Sequence, residues 1–172
     1  EENVRTTKIA VDMGHKYGCA VEGELGHVGD NEGAGMLDDP KAFFTDPDVA
    51  LDFVSKTGVD ALAIAVGNAH GDYKFPPKLD FGRIAEISEK TNLPLVLHGG
   101  SGLGDDDFRT AVKNGICKVN IFTDIDKAGR RGIEKGLAAG VETMMGLIPY
   151  EIEEMKAVVR EKLSLFGSVN RA

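Results

Sequence analysis

The sequence predicts an α/β fold, part of a TIM (β/α)8 barrel, on three observations. Short apolar runs without a polar face, such as ALAIAV at 61–66, alternate along the chain with helically spaced segments. Strands apolar on both faces and joined through helices form parallel sheets with crossover connections. Chemically loaded residues follow each strand, first Glu24, then His70, then His98 to Ser101, then Asn120 to Asp124, which is how a barrel assembles its active face. Only the last four strands and their helices are read in these 172 residues, where a closed barrel takes eight strands and about 250 residues, so half a barrel is expected elsewhere.

Apolar residues at helical spacing open the chain over 4–17, with Val4 and Val11 two turns apart and Gly18 as a left-handed stop. A short strand is read at 19–25. Residues 26–39 are rich in Gly and Asp without period, the composition of a mobile surface loop long enough to carry function. Asp46 supplies an N-cap and Pro47 the first position of a helix that carries Phe53 and Val54 and closes at Gly58. The strand at 61–66 comes next. A helix at 81–90, the strand LPLVLH at 93–98, a helix at 106–113 stopped by Gly115 and the strand CKVNIF at 117–122 repeat the alternation. Beyond Thr123 only helices are read, over about 124–166. The last of them starts at Pro149, lines Ile152, Met155, Val159 and Leu163 along one face, and ends before Gly167. No linker or composition break interrupts the chain, so residues 1–172 are expected to form one domain.

With 28 acidic against 20 basic residues and a net charge of −8, the chain has no basic stripe to neutralise a run of phosphates, and nucleic acid is excluded as a partner. Its apolar runs fall far short of the roughly 20 residues a membrane span needs, and no secretory signal opens it, so a cytoplasmic location is expected. Cys19 and Cys117 form no CxxC pair and read as small core hydrophobes.

Two strand ends carry the strongest chemical signal: GNAHGDYK at 67–74 and LHGGSGL at 97–103 each present one histidine followed directly by glycine. Neighbouring parallel strands bring two such rings together. Neutral imidazole is a good zinc ligand, and catalytic zinc typically takes three protein ligands and keeps a position open, so His70 and His98 leave a third to be found. Around Ser101, the glycines Gly99, Gly100, Gly102 and Gly104 let backbone N–H groups approach an anion just ahead of a helix. In TIM barrels the phosphate site commonly lies in the loops after the last two strands, here Gly99 to Ser101 and the run Asn120, Ile121, Phe122, Thr123, with Lys74 able to add a point charge.

In VEGELGHVGDNE at 21–32, Glu22 and Glu24 share a strand face by period two, as a buried acidic pair or a site, and Glu32 sits in the loop beyond. His27 begins a flexible loop, a poor platform for a precise site, and reads as exposed. His15 closes the first helix and complements its dipole. Lys118 lies two positions before Asn120 on the same strand face and offers an alternative, Schiff-base mechanism, which leaves the histidines unexplained.

Four ordered strings, VExELGxxG, GNAHGxYK, LHGGSGL and KVNIxTD, followed by a helix ending in LFGS, resemble the class II, zinc-dependent fructose-, tagatose- and ketose-bisphosphate aldolases over essentially the whole chain, as their carboxy-terminal half. The resemblance implies a lyase for reversible aldol cleavage of a ketose 1-phosphate or bisphosphate to dihydroxyacetone phosphate and an aldehyde. It implies that His70 and His98 bind zinc, with Glu24 near the metal as a second-site ligand, and that Glu32 lies on a loop closing over substrate. Gly71, Lys74, Gly99, Ser101, Asn120 and Thr123 are implied to hold the phosphate, with a monovalent cation beside it, in a homodimer or homotetramer. A third zinc histidine and the acid/base aspartate are implied to come from the family's amino-terminal half, which leaves a non-catalytic metal- and phosphate-binding role as the alternative for this chain. Asp30 replaces a small residue of the acidic motif, and Phe122 stands where fructose-type enzymes carry an aspartate, so the sugar is open within the ketose-phosphate class.

Overall fold

A computed structural model describes residues 1–30, 43–71 and 77–171, without the side chains of 29 and 30. Glu32 and Lys74 lie outside the described residues, as does most of the expected loop. The elements run α1 (Glu2–Lys16), β1 (Glu22–Leu25), β2 (Gly29–Asp30), α2 (Pro47–Thr57), β3 (Ala61–Ile64), β4 (Ala69–His70), α3 (Phe81–Thr91), β5 (Leu95–Leu97), α4 (Asp105–Lys113), β6 (Ile116–Val119), α5 (Thr123–Ala138) and α6 (Met144–Leu165).

Strands β1, β3, β5 and β6 form a parallel sheet in that order, and β2 pairs with β4 in a second, two-stranded parallel piece. Side-chain alternation gives the larger sheet two unlike faces. Leu62, Ile64, Leu95, Leu97 and Ile116 pack into one core with Val11 of α1, Ala50 and Phe53 of α2, Ile84 and Ile87 of α3, and Phe108 and Ala111 of α4. Burying such a side chain fully is worth about 1.5–3 kcal/mol, so this helix-covered face holds the sheet and helices together.

The opposite face carries Glu22 and Glu24 from β1, Ala63 from β3, Val96 from β5 and Lys118 from β6, with Glu24, Ala63, Val96 and Lys118 in one register row. Three inter-strand steps of about 4.8 Å would hold β1 and β6 roughly 14 Å apart in a flat sheet, with side chains standing perpendicular to it. Lys118 Nζ nevertheless lies 2.6 Å from Glu22 Oε2. The sheet therefore curls as the wall of a barrel does.

Local signals set most element boundaries. The Asp46 carboxylate accepts from the N–H groups of Asp48 and Val49, Pro47 opens α2, and Gly58 ends it. Against expectation, α6 does not begin at Pro149. Thr143 caps it, its hydroxyl accepting from Gly146 N at 3.2 Å, and Pro149 lies inside the helix. The carbonyl that loses its donor to the proline is that of Met145, in an exposed first turn where water can satisfy it. Helices α5 and α6 pack as a hairpin. A Cβ on Gly132 would stand 2.4 Å from Tyr150 O, so only glycine admits α6 this close.

Both cysteines are exposed rather than core residues. Cys19 lies between α1 and β1, and Cys117 sits on β6, the edge strand of the described sheet. No helix among the described residues is long and apolar enough to cross a membrane.

His15, in the last turn of α1, does more than face the helix dipole: its Nε2 pairs with Asp60 Oδ2 at 2.8 Å, and Val21 N donates to the same oxygen at 2.7 Å. These two hydrogen bonds, that from His15 first, hold the Asp60 carboxyl below its ordinary value of 3.8. A depressed folded-state pKa gives stability that is present above the ordinary value and is lost as pH falls through the depressed one. The melting temperature of the wild type is therefore expected to fall more steeply below about pH 4 than that of Asp60→Asn. Parallel acid profiles from the two proteins would show that the contact stabilises nothing.

Candidate active site

Two buried polar side chains fix the strand ends that carry the histidines. Thr45 N donates to Ala65 O at 2.8 Å, while its hydroxyl donates to Leu25 O at 2.5 Å and accepts from Ala65 N at 2.9 Å, joining the ends of β1 and β3. Asn68 accepts from Val66 N at 2.8 Å and donates to Ile64 O at 3.3 Å and to His98 O at 3.0 Å. The segment leading to His70 is thus tied directly to the backbone of His98. Neither Thr45 nor Asn68 stood out in the sequence, where a polar residue at a strand end reads as ordinary loop.

His70 is exposed on β4, and His98 follows β5 with its side chain 16% exposed. Their ring centroids lie 6.0 Å apart at an interplanar angle of 40°. His98 is held between two carboxylates: its Nε2 lies 3.0 Å from Glu22 Oε1 and its Nδ1 3.1 Å from Glu24 Oε2. Burial pushes the Glu22 carboxyl up, but hydrogen bonds from Lys118 and His98 outweigh it and hold the group below the ordinary carboxylate value.

Both histidines open on one cleft of about 470 Å³, lined also by Gly71, Gly99, Ser101 and the run Val119 to Thr123. Ser101 is buried and accepts from Asp124 N at 3.2 Å, and Gly102 N donates to the Asp124 carboxylate at 3.3 Å, so loop and helix start cap each other. The N-terminus of α5 therefore points its partial positive charge at the cleft. Gly100 N donates to Asn120 O at 2.9 Å, which spends that N–H on holding the two loops together. Phe122 projects at the cleft, 77% exposed.

Nearly all the residues expected from sequence meet here: His70, Gly71, His98, Gly99, Ser101, Asn120, Ile121, Phe122 and Thr123 line the cleft, with Gly100 behind it and Glu24 against His98. His27 is exposed and stacks near Phe43, with ring centroids 5.8 Å apart. Lys118 does not line the cleft, and its Nζ is engaged by Glu22. Glu22, which sequence marked only as half of an acidic pair, touches His98 as closely as Glu24 does.

The donor set fits part of a zinc site. With zinc–nitrogen bonds of about 2.0–2.1 Å, two imidazoles share one ion at roughly the ring separation seen here. His98 Nδ1 and a Glu24 oxygen stand 3.1 Å apart, a separation at which a proton or a shared metal ion can lie between them. Among the described residues, no three His, Cys, Asp or Glu side chains are placed together to hold a metal ion, so Glu24 does not complete a site with His70 and His98. A zinc ion held by the two histidines would need a further ligand from outside the described residues.

The family "Fructose-bisphosphate aldolase class-II" matches residues 1–171. The crystal structure of the YdjI aldolase from Escherichia coli K12 is similar, with a TM-score of 0.85 and 38% identity, over 100% of this chain and 58% of that one. A fructose-bisphosphate aldolase from Campylobacter jejuni, 22% identical, shares the fold with a TM-score of 0.81 over 100% of this chain and 58% of its own. The chain thus spans somewhat more than half the length of these proteins, in keeping with part of a TIM barrel. With a family match over nearly every residue, this chain belongs to the class II fructose-bisphosphate aldolase family.

Proposed function

We propose that this chain contributes one side of the active site of a zinc-dependent lyase, which reversibly cleaves a ketose 1-phosphate or bisphosphate to dihydroxyacetone phosphate and an aldehyde. The observation that carries the proposal is the opening of two histidine rings, 6.0 Å apart, on the same cleft as the start of α5. His70 and His98, with Glu24 beside them, would hold the metal. A zinc ion bound there supplies Lewis-acid polarisation of the ketose carbonyl. The family is generally zinc-dependent.

The remaining residues bind and orient. Gly71, Gly99, Ser101, Asn120 and Thr123 surround the cleft where the substrate phosphate would lie, and the α5 N-terminus favours its charge. Gly100, Ile121 and Phe122 complete that wall, and Lys74, with a monovalent cation beside the phosphate, would add positive charge. Glu32 would close over the substrate. The acid/base aspartate and a third zinc histidine belong to the part of the family's length that this chain does not span. Assembly as a homodimer or homotetramer is part of the same reading.

Zinc titration against a chromophoric chelator, run beside a coupled assay for dihydroxyacetone phosphate released from fructose or tagatose bisphosphate, tests it. Zinc is expected to bind this chain, and cleavage to appear once the amino-terminal half of a class II aldolase is supplied. Zinc binding with no cleavage of any ketose phosphate in either condition would leave a non-catalytic metal- and phosphate-binding role. Absence of zinc binding in both conditions defeats the metal assignment. Borohydride trapping of substrate on Lys118, with activity indifferent to chelators, would establish the Schiff-base route instead.

A further inference from the structure

Side chains from β1, from β6 and from the residue that follows β5 meet on the sheet face opposite the helices. Glu22 on β1 divides its carboxylate, Oε1 lying 3.0 Å from His98 Nε2 and Oε2 2.6 Å from Lys118 Nζ on β6. Residues 76 and 96 positions away in sequence thus fix both oxygens of one side chain. An ionised carboxylate only accepts, and of the two ring contacts only that of Nε2 with Glu22 has the geometry of a hydrogen bond, that of Nδ1 with Glu24 being a close approach alone, so in the neutral ring Nε2 is the nitrogen that carries the hydrogen. The other nitrogen, Nδ1, then presents its lone pair on the side of Glu24.

We infer that Glu22 and Lys118 are a positioning pair that sets the tautomer of His98, holding the hydrogen on Nε2 so that Nδ1 is the metal-binding atom. Lys118 has a directing role in this arrangement. By claiming Oε2 it locks the carboxylate plane, and it would equally claim the oxygen of an amide placed there. Ligating histidines commonly donate their second N–H to a carboxylate, and loss of that partner costs about 10–100-fold in metal affinity. The inference rests on the zinc reading for its consequence but not for its geometry.

The test uses Glu22→Gln, which keeps the size and the hydrogen-bonding reach of the side chain. Lys118 should draw the amide oxygen, leaving the NH2 group to face His98 Nε2 and force the hydrogen onto Nδ1. Imidazole nitrogen-15 spectra of the zinc-free full chain at about pH 9, above the ordinary histidine range, should show the Nε2–H form in the wild type and the Nδ1–H form in Glu22→Gln. Zinc affinity of the variant should fall by about 10–100-fold. Adding Lys118→Met to Glu22→Gln frees the amide and should restore a mixture of tautomers. Lys118→Met alone, at a side chain 54% exposed, should keep the Nε2–H form and lose up to about tenfold in zinc affinity.

An unchanged tautomer in Glu22→Gln overturns the inference. A double variant with the same spectrum as Glu22→Gln, or full zinc affinity in Lys118→Met, removes Lys118 from it. If the wild type binds no zinc, the metal reading fails, while the spectra still decide whether Glu22 sets the ring.

Discussion

His98→Ala is expected to weaken zinc binding by about 10²–10³-fold, because a binding free energy of roughly 10–16 kcal/mol spread over four ligands places about 2.5–4 kcal/mol on each. His98 is the better candidate of the pair for so large a loss. Its side chain is 16% exposed, it is pinned by two carboxylates, and its backbone carbonyl is bound by Asn68, so the ligand is held in place before the metal arrives. His27→Ala is the matched control: that ring is exposed and does not line the cleft, and its removal should leave the affinity unchanged. Both constants come from competition with a chelator dye under one buffer. Equal affinities for wild type and His98→Ala would place any zinc elsewhere on the chain.

Sequence made the two histidines visible because each stands at or a few residues beyond the end of an apolar run and directly before a glycine, signals carried within a few residues. The same locality made α2 legible in full, since Asp46, Pro47 and Gly58 supply cap, first position and stop within one short segment. Contacts across the barrel wall have no such signal. Glu22 and Glu24 were recognisable as sharing a strand face, yet nothing near them indicates that Glu22 meets Lys118, 96 positions later, or which nitrogen of His98 each would face. β2 and β4, of two residues each, are too short to show a period. Cys117 was misjudged for a tertiary reason: an apolar strand implies cover on both faces, and β6 buries Ile116 while leaving Cys117 and Lys118 exposed. Pro149 was misjudged for the converse reason, because the cap at Thr143 outweighs one lost hydrogen bond in an exposed turn.

Gly99→Ala should be the most damaging single methyl in the site, for two separable reasons. The residue has φ +63°, where an L side chain costs about 1–2 kcal/mol. A Cβ there would also stand 2.1 Å from Ala69 O and 2.6 Å from Ala69 C, a contact with backbone that no rotamer can relieve. Relief requires β4 to move away from the β5 loop, and β4 carries His70. The substitution should therefore cost stability and also separate the two histidines, lowering zinc affinity together with the melting temperature. Gly18→Ala isolates the first reason: φ there is +70°, and among the described residues nothing lies within 4 Å of the added Cβ. Chemical denaturation is expected to show about 1 kcal/mol lost in Gly18→Ala and about 3 kcal/mol or more in Gly99→Ala, with zinc affinity reduced only in the latter. Equal losses in the two variants would mean that the strand bearing His70 does not pack against Gly99 at this distance, and the convergence of the histidines would lose its structural cause.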